Sequence, residues 1–470
     1  MLSTIMTSTT RQIPAVLLSC TALAIAILLT SPLYVTVLIL VISVGLAVFR
    51  AFSVLPLTLT QLDSLMWAVL IGHTLAFLPG RDPRLLAQEQ SATPLIIFQV
   101  LIWFIVSLYS VFRIATNPTR LNTLLGPSAR YAVLFFLLAA ASSLYSVAPL
   151  ISFVWSLKLL AILLGLSMLL NPASPLDATQ RFLSSTLLGL ALMLIGFVLL
   201  SLYSPESGIE HSRLTAVWRL GGTLIPSTKL AAVAGMISVV LLVGLLHRRR
   251  LRTGLAYVLV VTCMLASLGR GGILATMASS ILVLMYFRQA VPALSLFLAL
   301  LLVFVLHPTS IENSLELITR GQDVAELKSL TGRIDLWRAS LDLILERPVL
   351  GWGYVSGSRV ALIEAFTRWP AVDAHNALLQ IVLTLGVVGA CILMALLWTS
   401  SRTLLCLLSR HWGSREEVAL VSLKLGALLI LLVVQGIFEG GFSSAPKFET
   451  AILLGIAMCS DMIQRETIQT

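Results

Sequence analysis

The chain alternates between long apolar runs and short polar loops. Each run continues for roughly 17 to 25 residues without the two-residue alternation of a transmembrane β-strand, so each predicts a membrane-spanning helix. In windows of about 19 residues, the runs are 13–30, 33–49, 56–79, 94–114, 131–148, 150–171, 182–203, 223–246, 254–269, 271–287, 291–306, 375–399, 417–437 and 449–463. The pattern predicts an all-α, polytopic helical membrane protein with about 12 to 14 transmembrane helices, folded as a single membrane domain over residues 1–470.

Composition supports a membrane protein. Only 11% of the residues are charged and 58% are hydrophobic, whereas soluble domains are about a quarter charged. The net charge of +10 is scattered through short loops in ones and twos, which favours membrane orientation over nucleic-acid binding. The five cysteines lie mostly in apolar runs without metal-ligand spacing, so we expect inert thiols. The first run, after Arg11, is predicted to be an uncleaved helix rather than a signal peptide.

The densest basic cluster, residues 247–252, orients the chain, because short basic loops stay in the cytoplasm. Counting spans from this cluster places a common set of arginines on the same side: Arg11, Arg50, Arg113, Arg120, Arg130, Arg181, Arg288, Arg402, Arg410, Arg415 and Arg465. The loops 80–93, 204–222, 307–374 and 438–448 then face outside. Both termini are therefore predicted to be cytoplasmic.

The large outer loop, 307–374, leads into the longest polar segment of the second half, Leu330 to Asn376. Within it, residues 332–346 have apolar side chains at three- and four-residue steps, which predicts an amphipathic helix on the membrane surface. Pro348 would end that helix. We interpret this segment as the active-site loop of a membrane enzyme.

Arg333 falls in the first turn of this predicted helix, where a cation is disfavoured by the helix dipole. It is either a surface arginine paired with an acid or, with the free amides of that turn, a receptor for an anion such as a phosphate.

His375 and Asn376 precede the apolar run that begins at Ala377, so they stand at the outer start of a helix. There the dipole disfavours imidazolium, which would keep His375 neutral and able to accept a proton. A role as an interfacial cap is the alternative. Asp373 could orient the imidazole or cap the helix.

Arg270 lies between Gly269 and Gly271 in the middle of some thirty apolar residues. Topology places it at the outer end of a tight helical hairpin, at the beginning of a helix, where the glycines let the backbone approach closely. There it either reaches lipid head groups or coordinates an anionic substrate. Further candidates on the outer face are Arg213, Arg219, Lys229 and Lys447. For each of these four a structural or lipid-contact role is favoured. Lys158 and Lys424, inside apolar runs, are interpreted as snorkelling or helix-pairing residues.

Three motifs follow one another in the outer loop: Thr331-Gly-Arg-Ile-Asp-Leu-Trp, Glu346-Arg-Pro-Val-Leu-Gly-Trp-Gly-Tyr and Ala374-His-Asn-Ala-Leu-Leu-Gln. Together with Ser143–Pro149 and Ser267–Gly272, they resemble the O-antigen ligase and Wzy-type polysaccharide polymerase superfamily. The resemblance runs from about Tyr131 to the last span. It departs from the family after Arg219-Leu-Gly-Gly, where Ile225-Pro-Ser-Thr-Lys-Leu stands in place of a His-Pro-Asn- or His-Lys-Asn-like element.

The resemblance implies a GT-C-like, metal-independent, inverting glycosyltransferase that needs no cofactor. It would act at the periplasmic face of the bacterial inner membrane on a glycan carried by undecaprenyl diphosphate, with a glycan as acceptor. Arg270 and Arg333 would hold the diphosphate and His375 would be the catalytic base. Arg219, Lys229, Asn376 and Asp373 are expected to bind substrate. A chain-length regulator and a flippase are candidate partners, and nucleic acid is not.

Several functions remain open at this point. An exopolysaccharide-type polymerase is favoured, and an O-antigen ligase that transfers the polymer to lipid A core shares the same motifs. A flippase or transporter is less favoured, because it would be expected to show repeated halves and polar or broken helices near the bilayer midplane, and the sequence shows neither clearly. A purely structural scaffold offers no reason for arginines at outward-facing helix starts. The sequence has no Asp-x-Asp or His-Glu-x-x-His motif and no evident outer carboxylate cluster, so arginines are preferred to a metal for stabilising the leaving diphosphate.

Overall fold

Apolar segments in a bilayer fold as helices because each backbone amide must find its hydrogen-bond partner within the segment. A computed structural model describes residues 58–73, 94–211, 218–222, 225–289, 333–366, 371 and 373–469. They belong to two units, one comprising 1–62 and 91–105 and the other 63–90 and 106–470. The described parts of the first unit are almost entirely helical. All contacts given below lie within the second.

The described α-helices are α1 Leu59–His73, α2 Pro94–Thr116, α3 Ala129–Ala141, α4 Pro149–Leu169, α5 Pro175–Tyr203, α6 Pro205–Gly208, α7 Ser227–Arg248, α8 Leu251–Ala266, α9 Arg270–Tyr286, α10 Arg333–Glu346, α11 Ile363–Ala365, α12 Ala377–Arg410, α13 Glu417–Phe438 and α14 Phe448–Gln469. Short 3₁₀ segments lie at Pro118–Leu125, Ser142–Leu144 and Gly441–Ser443, and a π-helix at Gly357–Leu362. Two three-residue strands, β1 Ile209–His211 and β2 Trp218–Leu220, pair antiparallel.

The prediction of an all-α, polytopic membrane protein is confirmed. Among the described residues, α4, α5, α7, α12 and α13 are long and apolar enough to cross a membrane, and a bent pair around Asn117 would make a sixth. The shorter helices α8 and α9 fall on the predicted runs 254–269 and 271–287. The runs 13–30, 33–49 and 291–306 lie outside the described residues, as do residues 307–332 of the outer loop and Arg213. The count of 12 to 14 spans therefore stays a prediction.

Helices α7, α9 and α13 pack against one another at the centre of the bundle. Small residues permit the closest approach: a Cβ on Gly272 of α9 would lie 2.7 Å from the Cβ of Ala231 in α7. This confirms that the glycines beside Arg270 let two backbones meet. The packing fixes the start of α9 between α7 and α13.

Helix α12 is broken at Gly386, whose φ of 66° and ψ of −168° lie outside the helical region. The segment after α10 fills the break: Trp352 N donates to Leu383 O at 3.0 Å, Gly353 N to Thr384 O at 2.9 Å, and Val387 N to Pro348 O at 2.9 Å. The sequence does not reveal this break. The backbone groups that it frees form hydrogen bonds with the segment after α10, as burial in a membrane requires. The break anchors the outer segment to the helix that follows His375.

Buried acids bind helix ends elsewhere in the bundle. Asp461 of α14 accepts hydrogen bonds from Ser128 N at 2.8 Å and Ala129 N at 3.0 Å, capping the start of α3 from another helix. Asp63, which interrupts an apolar run in the sequence, is bound by the Arg113 guanidinium at 2.8 and 2.9 Å.

Candidate active site

The backbone around His375 is held by α10 and α12. Trp337 Nε1 donates to Ala374 O at 3.0 Å, which ties α10 to the residue before the histidine. Gln380 accepts a hydrogen bond from Ala374 N at 2.9 Å and donates one to Ser358 Oγ at 2.9 Å. The apolar faces of α10 and α12 pack beneath these bonds through buried Leu336 and Leu383.

His375 itself has a φ of 48°, in the left-handed region. A non-glycine residue there costs roughly 1 to 2 kcal/mol, so the surrounding contacts must hold it. Asp373 Oδ1 accepts from His375 N at 3.0 Å, and Asn376 Oδ1 accepts from Leu378 N and Leu379 N at 3.0 Å each. Asn376 is therefore the N-cap of α12. Asp373 does not cap the helix but orients the histidine.

The imidazole faces two carboxylates. His375 Nδ1 lies 3.4 Å from Asp373 Oδ1 and 3.3 Å from Glu439 Oε2. Glu439 follows the last residue of α13. Glu439 is not among the residues predicted from the sequence. The expectation of no carboxylate cluster on this face is wrong, because Asp373 and Glu439 come from distant parts of the chain and meet only in the fold.

Arg333 contacts the same carboxylate from the other side. Its Nη2 lies 3.4 Å from Glu439 Oε1, and its Nη1 donates to Phe438 O. Asn376 Nδ2 donates to the neighbouring carbonyl of Ile437 at 3.2 Å. Arg333 therefore lies at the negative end of the α13 dipole, where a cation is stabilised. Both interpretations of Arg333 stay open, since it is paired with an acid yet its side chain remains 24% exposed.

Arg270 begins α9, as predicted, and lies beside the end of α13. A Cβ on Gly271 would be 3.2 Å from Phe438 Cβ, and Phe438 O is the acceptor of Arg333. Burial lowers the pKa of Arg270, and so do the charges of Arg333 and Arg219. The three guanidiniums are therefore close enough to interact electrostatically. Arg219 lies on β2, where its backbone is opposite that of Glu210 in β1. Converging arginines favour an anion in this region.

The charges around His375 reverse one expectation. Burial by itself would lower the pKa of His375, but the Asp373 and Glu439 carboxylates outweigh it and raise that pKa. The dipole of α12 is expected to lower the proton affinity of His375, but the Asp373 and Glu439 carboxylates act in the opposite direction and dominate. Burial would raise the pKa of Asp373, yet His375, Lys447 and Lys229 hold it at about 2. Burial would also raise the pKa of Glu439, but the hydrogen bond and charge of His375 lower it.

Lys229 of α7 lies deeper than the other candidates. Its Nζ is 2.6 Å from Glu449 Oε1 of α14, and the two residues are only 5% and 0% exposed. The donor expected to bind substrate therefore has a protein partner, and substrate contact by Lys229 stays a prediction. Lys447 lies close to both, and burial and the Lys229 charge lower its pKa to about 8.

The structure thus brings Arg270, Arg333, Asp373, His375 and Asn376 to one face, with Arg219 near Arg270 and Lys229 beneath. Within the described ranges, no three His, Cys, Asp or Glu side chains are arranged to hold a metal ion. One signal could have revealed Glu439: an acid directly after an apolar run stands at the negative end of a helix, where it needs a compensating cation.

Part of this site lies in a segment that is similar to a known family. Residues 255–394 match the family model described as O-antigen ligase. The chain carries an O-antigen ligase family domain. Within its bounds lie most of α8, all of α9, α10 and α11, and the first half of α12, and therefore Arg270, Arg333, Asp373, His375 and Asn376. No curated protein matches the chain.

The O-antigen ligase domain supports the resemblance inferred from the loop motifs and does not separate polymerases from ligases. It indicates a role in membrane glycosyl transfer for polysaccharide or lipopolysaccharide synthesis. Glu439 and Lys229 lie beyond the matched residues, so the carboxylate that contacts Arg333 and His375 is supplied by α13, outside the domain's bounds.

Proposed function

We propose that the protein is a polymerase that joins undecaprenyl-diphosphate-linked oligosaccharide repeat units into a surface polysaccharide. It acts at the periplasmic face of the inner membrane, with both termini in the cytoplasm, by metal-independent, inverting glycosyl transfer. The observation that carries the proposal is the shared carboxylate of Glu439, which lies 3.4 Å from Arg333 Nη2 and 3.3 Å from His375 Nδ1. It places a proton acceptor and a guanidinium side by side, with Arg270 near that guanidinium.

The arginines are assigned to the leaving group. In the reaction the bond between the anomeric carbon and the diphosphate oxygen breaks, and undecaprenyl diphosphate departs with the electron pair. Two guanidiniums in a partly dry site stabilise that charge through bidentate hydrogen bonds. Arg333 and Arg270 supply them, and Arg219 extends the positive region along the diphosphate.

His375 is assigned to the acceptor. A hydroxyl of the acceptor sugar attacks the anomeric carbon on the side opposite the diphosphate, which inverts its configuration, and the hydroxyl proton passes to Nε2. Since Nδ1 faces Asp373 and Glu439, these carboxylates fix the ring and stabilise the imidazolium as it forms, as an acid does behind a catalytic histidine. Proton transfer of this kind contributes about a hundred- to ten-thousand-fold.

An O-antigen ligase is the second candidate, favoured by the description of the matching family model. It would use the same donor chemistry and differ in the acceptor, a lipid A core sugar. A deletion strain distinguishes the two. Lipid A core bearing one repeat unit would support the polymerase, and free lipid-linked polymer would support the ligase.

Purified protein in lipid vesicles, supplied with a defined lipid-linked repeat unit, tests the activity directly. We expect products with a ladder of chain lengths and release of undecaprenyl diphosphate. Arg333→Ala should abolish both products. Its matched control is Arg338→Ala, since Arg338 lies on the same helix as Arg333 and its side chain is 76% exposed. Transfer only when lipid A core is added would replace the polymerase by the ligase. A folded protein inactive with both acceptors would contradict glycosyl transfer.

A further inference from the structure

A cavity with polar and apolar walls lies at the end of the bundle opposite the candidate active site. It has a volume of about 650 Å³ and is enclosed by α5, α7, the start of α8 and α13. Helix α7 begins near the active site at Ser227, lines the cavity from Val240 and ends at Arg248, 21 residues after Ser227. At 1.5 Å per residue the basic end of α7 lies about 32 Å from Ser227, so no single substrate head group contacts both the active site and Arg248.

Most of the charged residues that line the cavity are cations. Its charged and titratable lining residues are His247, Arg248, Arg250, Arg415, Lys424 and Glu417. The single acid, Glu417, accepts a hydrogen bond from Gln180. Its lining therefore has an excess of positive charge, which favours an anionic ligand.

The local backbone explains how the basic residues come together. Arg249 ends α7 in the left-handed conformation, with φ 44° and ψ 39°, and Arg250 is the N-cap of α8. This tight reversal puts the side chains of Arg248 and Arg250 on the same cavity. His247 Nδ1 is buried without a hydrogen-bond partner among the described residues, and a buried polar atom of this kind favours a polar ligand group nearby.

The deeper wall of the cavity is apolar. Leu183 and Leu187 of α5, Val240 of α7, and Leu420 and Val421 of α13 line it. A small soluble anion would leave this wall uncovered, whereas an amphiphile covers it with an acyl chain and places its head group among the cations. Basic pockets between transmembrane helices bind anionic lipid head groups in this way.

We propose that this basic cavity binds an anionic phospholipid. The phosphate of the head group lies among Arg248, Arg250 and Arg415, and an acyl chain follows the apolar wall between α5 and α13. By the predicted topology the lipid belongs to the cytoplasmic leaflet. This site is separate from the proposed glycosyl transfer and does not depend on it.

Native mass spectrometry of the full-length protein, released from nanodiscs containing phosphatidylglycerol and phosphatidylcholine, tests the proposal. We expect wild-type protein to retain phosphatidylglycerol selectively. Arg250→Gln/Arg415→Gln should weaken that retention about thirty-fold, at about fivefold for each basic side chain near an anionic head group. The matched control is Arg252→Gln/Arg410→Gln, which removes the same charge from exposed residues that do not line the cavity. An equal loss in both double variants would overturn the proposal.

Photolabelling of the wild-type protein keeps the proposal testable if the double variant fails to fold. Wild-type protein in nanodiscs with a photoreactive phosphatidylglycerol should be labelled in peptides covering 180–187, 240–250 or 415–424, and labelling confined to other peptides would contradict the site. Inorganic phosphate added to phosphatidylcholine nanodiscs separates the two sources of phosphate. The cavity would be assigned to a soluble anion instead if phosphate binding is saturable, is lost in Arg250→Gln/Arg415→Gln and is unaffected by phosphatidylglycerol.

Discussion

His375 Nδ1 lies 3.3 Å from Oε2 of Glu439, a residue 64 positions later in the chain. The contact explains why the imidazole of a buried histidine retains its proton affinity: burial lowers the pKa of His375, and Asp373 and Glu439 more than restore it. The two carboxylates therefore raise the pKa of the proposed base above its ordinary value.

The pH dependence of transfer should follow from this contact. Because a base must be unprotonated and the pKa of His375 is raised from 6.5, kcat/KM should increase with pH through an apparent pKa above that value. In Glu439→Gln the rising limb should move to lower pH, since one of the two stabilising carboxylates is gone. Rates between pH 5 and 9 measure it.

The control for this profile is Glu364→Gln, which alters an exposed acid in the same outer segment. Its limb should coincide with that of the wild type. A limb that stays in place in Glu439→Gln would show that His375 does not report on Glu439, and would remove the histidine from the role of base.

Removing the proposed base or the adjacent guanidinium should abolish polymer formation. We expect His375→Ala and Arg333→Ala each to lower the rate by at least about a hundred-fold, with insertion and expression unchanged. Chain-length ladders from membranes of a deletion strain complemented with each variant give the measurement. Normal ladders from either variant would exclude that residue from the mechanism.

Arginine geometry, and not charge alone, should matter at Arg270 and Arg333. A lysine keeps the charge but lacks the planar fork that binds two phosphate oxygens at once. We expect Arg270→Lys and Arg333→Lys to lose at least about tenfold in transfer, whereas Arg338→Lys, on the exposed face of α10, should behave as wild type. Full activity of both lysine variants would show that only the positive charge of the arginines is needed, and would contradict bidentate hydrogen bonding to the diphosphate.

Much of the site's location followed from the sequence, because its signals are local. Glycines around Arg270 predict a close helical start, and a polar Asp-Ala-His-Asn before an apolar run predicts the start of α12 at Ala377. Both are confirmed, since a cap and the helix that it begins are neighbours along the chain.

The electrostatics could not be obtained in this way. Glu439 lies 106 residues from Arg333 and Glu449 lies 220 from Lys229, and no periodicity connects such positions. The dipole of α12 disfavours a charged imidazole at His375, but the Glu439 carboxylate at 3.3 Å favours it more strongly than a helix end opposes it. Likewise, the break at Gly386 depends on a segment that packs there from elsewhere.

Chelation should leave transfer unchanged. In the proposed mechanism Arg270 and Arg333 stabilise the departing diphosphate, so no step requires a divalent cation. We expect equal rates with and without EDTA in vesicles that have been washed free of metal. Complete loss on chelation, restored by adding back Mg²⁺ or Mn²⁺, would overturn the metal-free mechanism.

The pair formed by Lys229 and Glu449 separates a structural role from substrate binding. Both residues are buried and joined at 2.6 Å, so removing one partner strands the other charge, at a cost of roughly 3 to 5 kcal/mol. Lys229→Met alone and Glu449→Leu alone should therefore each lower the unfolding temperature in detergent, while the double variant Lys229→Met/Glu449→Leu should recover most of the loss, because an apolar pair of similar volume replaces the ion pair. If the pair is structural, activity should recover together with stability. A double variant that is stable yet inactive would instead assign Lys229 to the substrate, and would show that its contact with Glu449 positions a catalytic cation.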